Sequence, residues 1–239
     1  TEIYTLSLHD ALPIFFESID AAVVDADVVQ ESVPEILELK TQILTEIERS
    51  VDATTLIASS TSGLKPSVLQ EAMKSPERLV VGHPFNPVYL LPMVEVVGGK
   101  LTSADTISRA MTLYESAGMR PLHVRVEVDA FIADRLLEAV LREALWLVND
   151  GVATTKEIDD VIRFGFGLRW AQMGLFENYR IAGGEGGMAH FISQFGPTLS
   201  WPWSKLTDTP VLTEALIERI TEQSDAQSGD YTVDRKSVV

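Results

Sequence analysis

Three short stretches of this chain place a hydroxyl, an imidazole and a carboxylate at the ends of successive extended segments: Ala58-Ser59-Ser60-Thr61-Ser62-Gly63, His83-Pro84-Phe85-Asn86-Pro87 and Val94-Glu95-Val96-Val97. A carboxylate beside a histidine fixes its tautomer and steadies its protonated form, so a His83–Glu95 pair can accept the proton of an alcohol under oxidation. Ser62 can donate a hydrogen bond to the same oxygen. Taken alone, the His-Pro-Phe-Asn-Pro string reads equally as a turn pinned between two prolines, because a residue before proline is driven to extended or turn geometry. The three stretches together point to chemistry.

The elements that must position these groups are bounded by composition. With 239 residues, 46% of them apolar, the chain can bury a sizeable core, and two modest domains are expected. Thirty-five acidic against 19 basic side chains give a formal charge of −16, which disfavours nucleic acid and anionic membrane surfaces as partners. The absence of cysteine excludes disulfides, thiolate catalysis and cysteine-bound zinc, and suits a cytoplasmic protein. Histidines 9, 83, 123 and 190 show no short metal-ligand spacing, so no metal is expected. No apolar run approaches the ~20 residues of a spanning helix. Thr1 to Phe16 has neither a secretory n-region nor a cleavage site.

Along the chain, residues 22–29 read as a turn entering a buried strand. A helix carrying Ile36, Leu39, Ile43 and Ile47 at helical spacing follows. Residues 55–59 and 79–82 read as further strands, with a helix over 66–73 between them. The βαβαβ alternation predicts a parallel sheet covered by helices, with the ligand site beyond the carboxyl ends of the strands. Ser62 and His83 fall at such ends. Ser103 can cap a helix bearing Ile107, Met111 and Tyr114 that stops at Gly118, and residues 121–128 alternate like an edge strand. The character then changes to helices and glycine-rich turns. One helix over 130–150 carries Leu137, Val140, Leu141, Ala144 and Val148; Thr154 and Glu157 form a capping box for the next, which ends at Gly165. The expected organisation is a leader of foreign character at 1–16, an α/β domain at 17–127, an all-α domain at 128–226 and a tail at 227–239.

Gly183-Gly184-Glu185-Gly186-Gly187 lacks G-x-G-x-x-G spacing and a preceding strand, and reads as a turn between helices. Around it lie Phe164, Phe166, Trp170, Phe176, Tyr179, Trp201 and Trp203, interrupted by Arg169 and Arg180. Most of these rings are expected in the core, as aromatic residues at helical spacing usually are. Ring faces also attract a quaternary ammonium, so Trp170, Phe176 and Tyr179, with Arg169 for a carboxylate, are candidate substrate-binding residues.

From about Phe15 to Asp225 the sequence resembles the 3-hydroxyacyl-CoA dehydrogenase superfamily. The resemblance is carried by VQESVPEILELK (29–40), ASSTSGL (58–64), VVGHPFNPVYLLPMVEVVGG (80–99) and FIADRLLEA (131–139). GLRWAQMGLFENYRIAGGEGGM (167–188) and FGPTLSWPW (195–203) point to a branch acting on a small cationic 3-hydroxy acid. The resemblance implies NAD-dependent oxidation of a secondary alcohol at C3 by a subunit with a truncated Rossmann-like domain and a helical domain that forms a homodimer. Ser62, His83 and Glu95 fall on the family's catalytic positions. Glu35 and Lys40 fall on positions lining the nicotinamide half of the cofactor site, with Ser32, Ser62 and Asn86 beside it.

Two departures from the family pattern stand out. The usual G-F-x-x-N-R before the long helix is here Ala130-Phe131-Ile132-Ala133-Asp134-Arg135, so Asp134 replaces an asparagine and is read either as catalytic or as a helix cap. The G-x-G-x-x-G loop that holds a pyrophosphate at a helix amino terminus is missing, as if the chain were a fragment of low activity with foreign ends. Two alternatives stand beside a dehydrogenase of the cationic-substrate branch: a dehydrogenase for 3-hydroxyacyl-CoA or another short 3-hydroxy acid, and a noncatalytic relative that keeps the fold.

Overall fold

The structure, a computed structural model, describes residues 14–203, 211 and 213–219. Most of the expected leader and the whole 227–239 tail lie outside them. The order is α1 (Ile19–Val23), β1 (Val28–Glu31), α2 (Leu37–Ser50), β2 (Leu56–Ser59), α3 (Pro66–Gln70), β3 (Leu79–Pro84), β4 (Met93–Gly98), α4 (Ala104–Ser116) and β5 (Arg120–Val124). There follow α5 (Ala133–Asn149), α6 (Thr155–Val161), α7 (Gly167–Ala182) and α8 (Gly187–Phe195). No further strand occurs among the described residues, and no described helix is long and apolar enough to cross a membrane. Contacts divide the chain into two units, one through Arg135 and one from Leu136.

The sheet runs in sequence order, β1 to β5. Strands β1, β2 and β3 are parallel, as the βαβαβ alternation predicts, but β4 runs antiparallel to β3, and β5 is parallel to β4. The physical reason is the connection. A parallel crossover takes a dozen or more residues, usually a helix, and the short stretch 85–92 between β3 and β4 is long enough only to turn the chain back. The amino end of β4 thereby lies at the carboxyl edge of β3.

Strands β2 and β3 are buried on both faces, and their side chains supply the core. Leu56, Ala58, Val80, Val94 and Val96 meet Ala110 and Tyr114 of α4 on one face, where Ile107 and Met111 also pack. Ile57, Leu69 and Leu79 meet Leu44 and Ile47 of α2 on the other. Each such side chain, fully removed from water, contributes roughly 1.5–3 kcal/mol. Ser103 caps α4, accepting from the Thr106 N–H at 3.0 Å, and Gly118 at φ +80° lets the chain leave it. Gly82 has a packing reason: a Cβ there would sit 1.9 Å from the Tyr114 hydroxyl oxygen.

The buried face of α2 is rotated from the expected one. Lys40, Leu44, Ile47 and Glu48 are buried, whereas Ile36 is exposed. Lys40 turns inward because carboxylates await it, as described below. In the helical unit the Thr154–Glu157 capping box forms, the 162–166 stretch is a π-helical turn irregular at Gly165, and Gly183 to Gly187 is a turn between α7 and α8. The expected apolar stripe of α5 is present, yet among its members only Val148 is buried.

Candidate active site

Antiparallel pairing of β3 and β4 sets His83 directly opposite Glu95. Residues opposite one another on neighbouring strands project on the same face. His83 Nδ1 lies 3.0 Å from Glu95 Oε2. Both side chains are buried, Glu95 at 0% exposure. The other carboxylate oxygen, Oε1, accepts from the backbone N–H groups of Ile132 (2.9 Å) and Ala133 (3.1 Å), at the start of α5. The backbone reaches that position through two residues in the left-handed region, Ala130 (φ 58°) and Phe131 (φ 48°). Phe131 is driven into the core against Val81, Val97 and Val124, and its ring lies 5.7 Å from the His83 ring. Burial alone would raise the Glu95 carboxyl. The hydrogen bonds from His83, Ile132 and Ala133, together with the His83 charge, outweigh it and hold the group below its ordinary value of 4.5. An ionised Glu95 can only accept, so His83 Nδ1 carries a proton toward it and Nε2 is left as the basic nitrogen.

A second polar cluster lies at the carboxyl edges of β1 and β2. Glu31, the last residue of β1, is buried; its carboxylate accepts from Lys40 Nζ at 2.9 Å, from Ser59 Oγ at 2.5 Å and from the Val33 N–H at 2.6 Å. Lys40, 1% exposed, also donates to the Val33 carbonyl at 2.9 Å and stands 3.5 Å from Glu35 Oε2. Glu35 Oε1 gathers the Thr61 hydroxyl and the Gly63 and Leu64 N–H groups, the latter two at 3.2 and 3.4 Å. Burial pushes the Glu35 carboxyl up, but these bonds and the Lys40 charge leave it lowered. Ser32 Oγ pairs with Ser60 Oγ at 2.8 Å. Ser60 in turn accepts from Gln30, whose amide also donates to the Gly82 carbonyl and receives the Tyr114 hydroxyl at 2.6 Å. Burial pushes the Tyr114 phenol up to about 12, so it stays a donor.

The structure thus places Ser32, Glu35, Lys40, Ser62, His83 and Glu95 on one sheet unit, and brings His83 to Glu95 and Lys40 to Glu35. Ser62 is exposed, just past β2, with no hydrogen bond of its own among the described residues. Asn86 is exposed in the loop after β3. Asp134 is half-buried in the first turn of α5, where a negative charge complements the helix dipole.

The aromatic segment departs from expectation. Phe164, Phe176, Trp201 and Trp203 are exposed, Phe176 at 75%, so most of these rings are not core. Within α7, Gly174 at φ +73° breaks the helical path and separates Arg169 and Trp170 from Phe176 and Tyr179, so helical spacing does not carry all four onto one face. The rings pair locally instead, Trp170 with Phe166 (4.5 Å between centroids) and Tyr179 with Phe191 (4.6 Å). Arg169 is exposed.

The model of the 3-hydroxyacyl-CoA dehydrogenase NAD-binding domain matches residues 11–128, and that of the C-terminal domain matches 131–223. A protein of Pseudomonas aeruginosa named L-carnitine dehydrogenase is 60% identical over 219 residues, 92% of this chain and 68% of its own length. The chain belongs to the 3-hydroxyacyl-CoA dehydrogenase family. An Agrobacterium fabrum family member, L-carnitine dehydrogenase/betainyl-CoA thioesterase, is 61% identical over 90% of this chain, which spans only 44% of that relative. Among solved structures, the NAD+-dependent dismutase 5-formyl-3-hydroxy-2-methylpyridine 4-carboxylic acid 5-dehydrogenase superposes with a TM-score of 0.71 at 34% identity. The likeness covers 76% of this chain and 58% of that one.

Several functional groups escape a reading of motifs. Glu31, Ser59, Thr61, Gln30 and Tyr114 act through burial and partners, and the Ile132 and Ala133 amides have no side-chain signature. One signal was available: Lys40 recurs with Leu37, Leu44 and Ile47 on one helical face, and an ammonium there demands a buried acid.

Proposed function

We propose that this chain carries the catalytic groups of an NAD-dependent dehydrogenase that oxidises the C3 hydroxyl of L-carnitine to 3-dehydrocarnitine. The observation that carries the reading is the buried His83–Glu95 pair, with a fixed tautomer and a basic Nε2. His83 Nε2 takes the hydroxyl proton, Glu95 stabilises the imidazolium that results, and Ser62 donates to the substrate oxygen. The chemistry that NAD supplies when bound is acceptance of the hydride. The residues present fit its nicotinamide half: the exposed hydroxyls of Ser32 and Ser62 and the amide of Asn86 offer uncharged donors and acceptors at the carboxyl edge of the sheet, where α/β folds bind ligands. Glu35 and Lys40, positions that the resemblance assigns to the cofactor site, pair with each other, and Glu35 also receives the 61–64 loop. Asp134 supplies negative charge near the start of α5.

The substrate assignment is supported by relatives of about this sequence that carry the L-carnitine dehydrogenase name. Within the helical unit the Trp170–Phe166 and Tyr179–Phe191 ring pairs and Phe176 are candidates to offer a face to a trimethylammonium, and the exposed Arg169 is a candidate partner for a carboxylate. The exposed apolar side chains of α5, Leu137 at 61% and Leu141 at 57%, support a homodimer in which a second copy covers them. An acidic, cysteine-free chain suits the cytoplasm.

The test, with a full-length amino terminus restored, is NADH formation from L-carnitine, compared with an analogue in which a neutral tert-butyl group replaces the trimethylammonium and with a 3-hydroxyacyl-CoA. Preference for carnitine is expected. Equal kcat/KM for carnitine and its neutral analogue would defeat the ammonium-specific reading, and turnover of the CoA ester alone would transfer the site to the acyl-CoA branch.

A further inference from the structure

Ser62 is the one member of the proposed catalytic set that no contact of its own holds. Its side chain is exposed, and the neighbouring Gly63 stands in open space, with no atom within 4 Å of where a Cβ would be. Packing holds the loop at its flanks, where Thr61 is buried and Leu64 lies against the core beside α2, and leaves Ser62 and Gly63 between them to polar contacts. The residues bracketing Ser62, namely Thr61 through its hydroxyl and Gly63 and Leu64 through their N–H groups, all donate to a single oxygen, Glu35 Oε1. Thr61 is itself buried, and its hydroxyl also receives the Leu64 N–H at 3.0 Å. The far end of the loop is tied separately, by Lys65 to Asp129 (2.9 Å) and by the Ser67 N–H to Glu127 (3.0 Å).

The carboxylate that gathers the loop is itself anchored. Lys40 Nζ stands 3.5 Å from Glu35 Oε2 and 2.9 Å from Glu31 Oε1. Glu31 is tied through Ser59 to β2, the strand from which the loop departs. The chain of contacts runs from buried strand ends through a buried ammonium to one half-exposed carboxylate, and from there to both sides of Ser62. Charge-assisted bonds of this kind are roughly twice as strong as neutral ones, which suits a loop whose central residues have no packing of their own.

We propose that Glu35 is a positioning residue for Ser62: its carboxylate, held by Lys40 and Glu31, fixes the 61–64 loop so that the Ser62 hydroxyl meets the substrate oxygen. The inference rests on the functional reading above and assigns Glu35 a task different from contact with the cofactor. A serine donor displaced by about 1 Å can cost on the order of a hundred-fold in rate.

The experiment combines a double-mutant cycle with amide exchange. Glu35→Ala is expected to lower kcat for L-carnitine by about a hundred-fold while leaving KM for NAD within about two-fold, with Glu35→Gln intermediate because its amide oxygen still accepts. In a Ser62→Ala background the same Glu35→Ala change should cost less than about three-fold more, since residues acting as a unit are not additive. Hydrogen exchange at Gly63 and Leu64 should accelerate at least about ten-fold in Glu35→Ala, with the amides of α4 unchanged as evidence of an intact fold. Full additivity with Ser62→Ala, a rise confined to KM for NAD, or unchanged exchange at both amides would each overturn the proposal. The kinetic arms are run with a full-length amino terminus restored; if that unsubstituted protein fails to oxidise carnitine, the functional reading falls, and the exchange rates still decide whether Glu35 holds the loop.

Discussion

The two units of this molecule treat burial in opposite ways. Through Arg135, apolar side chains are enclosed by the sheet and its helices, and charged groups are buried only with partners: Glu95 with His83 and two backbone amides, Lys40 with Glu31, Glu48 with the Lys74 and Ser75 N–H groups. From Leu136 onward the helices carry amphipathic stripes of comparable quality, yet among the described apolar residues only Val148 and Leu216 are buried. A sheet closes its own core because consecutive strands and crossover helices cover both faces. Helices with short connections need a neighbour for every apolar stripe, and a single copy supplies few. The polar groups of the first unit thus find their partners within the chain, whereas the second leaves apolar surface exposed among the described residues, the surface that the proposed second copy would cover.

That contrast can be broken most directly at the histidine pair. His83→Ala, or Glu95→Gln with its lost anion, is expected to reduce kcat by about 10²–10⁴-fold with the fold retained, measured by steady-state NADH formation and circular dichroism. Next is the buried ammonium. Glu31→Ala strips Lys40 of its closest partner and should cost about 3–5 kcal/mol in urea unfolding, whereas Lys156→Ala, on an exposed pair of α6, should cost under about 1 kcal/mol. Gly82→Ala pushes a methyl into the Tyr114 hydroxyl and should destabilise by about 1–3 kcal/mol, read as a lowered urea midpoint. In the helical unit, Trp170→Leu should reduce preference for carnitine over its neutral isostere by about two- to thirty-fold, the range of a 0.5–2 kcal/mol cation–ring attraction. Unchanged selectivity would remove Trp170 from the pocket.

The smallest expected effect is on the acid limb of stability. Glu35 and Glu95 are both held below their ordinary value of 4.5 in the folded chain. A lowered folded-state value means that the unfolded chain binds protons more readily. The stabilisation is therefore present above pH 4.5 and is lost as pH falls from there through the lower folded values. Urea midpoints between pH 6 and 3 should fall less steeply in Glu95→Gln than in the parent, and identical slopes would show that His83 and the amides do not favour the ionised form.

How much of this was legible follows the same division. Strand positions, the Ser103 cap, the Thr154–Glu157 box and the His83–Glu95 pair could be read because period, capping chemistry and residue type each leave a local mark. The direction of β4 is also written in the sequence, in the shortness of residues 85–92, though the alternation of elements hides it. The rotation of α2 about Lys40 required knowing that Glu31 ends β1 facing inward, a tertiary fact. The exposure of Phe176 could not be read, because helical spacing describes a continuous helix and Gly174 interrupts it.

The reversal of the chain after His83 has one further consequence, for inheritance rather than geometry. The His83–Glu95 pair is separated by 12 residues and rests on two adjoining strands, so residues 79–98 hold both partners and their register. The loop around Ser62, by contrast, is bonded to a carboxylate 26 to 29 residues away in sequence, which the parallel pairing of β1 and β2 helps bring near. Insertions or exchanges in the exposed 88–91 tip can therefore reshape what lies beside the histidine while the strands keep His83 opposite Glu95 and the Ile132 and Ala133 amides keep the second carboxylate oxygen. The histidine pair tolerates a changed tip, whereas the setting of Ser62 is assembled from segments far apart in sequence.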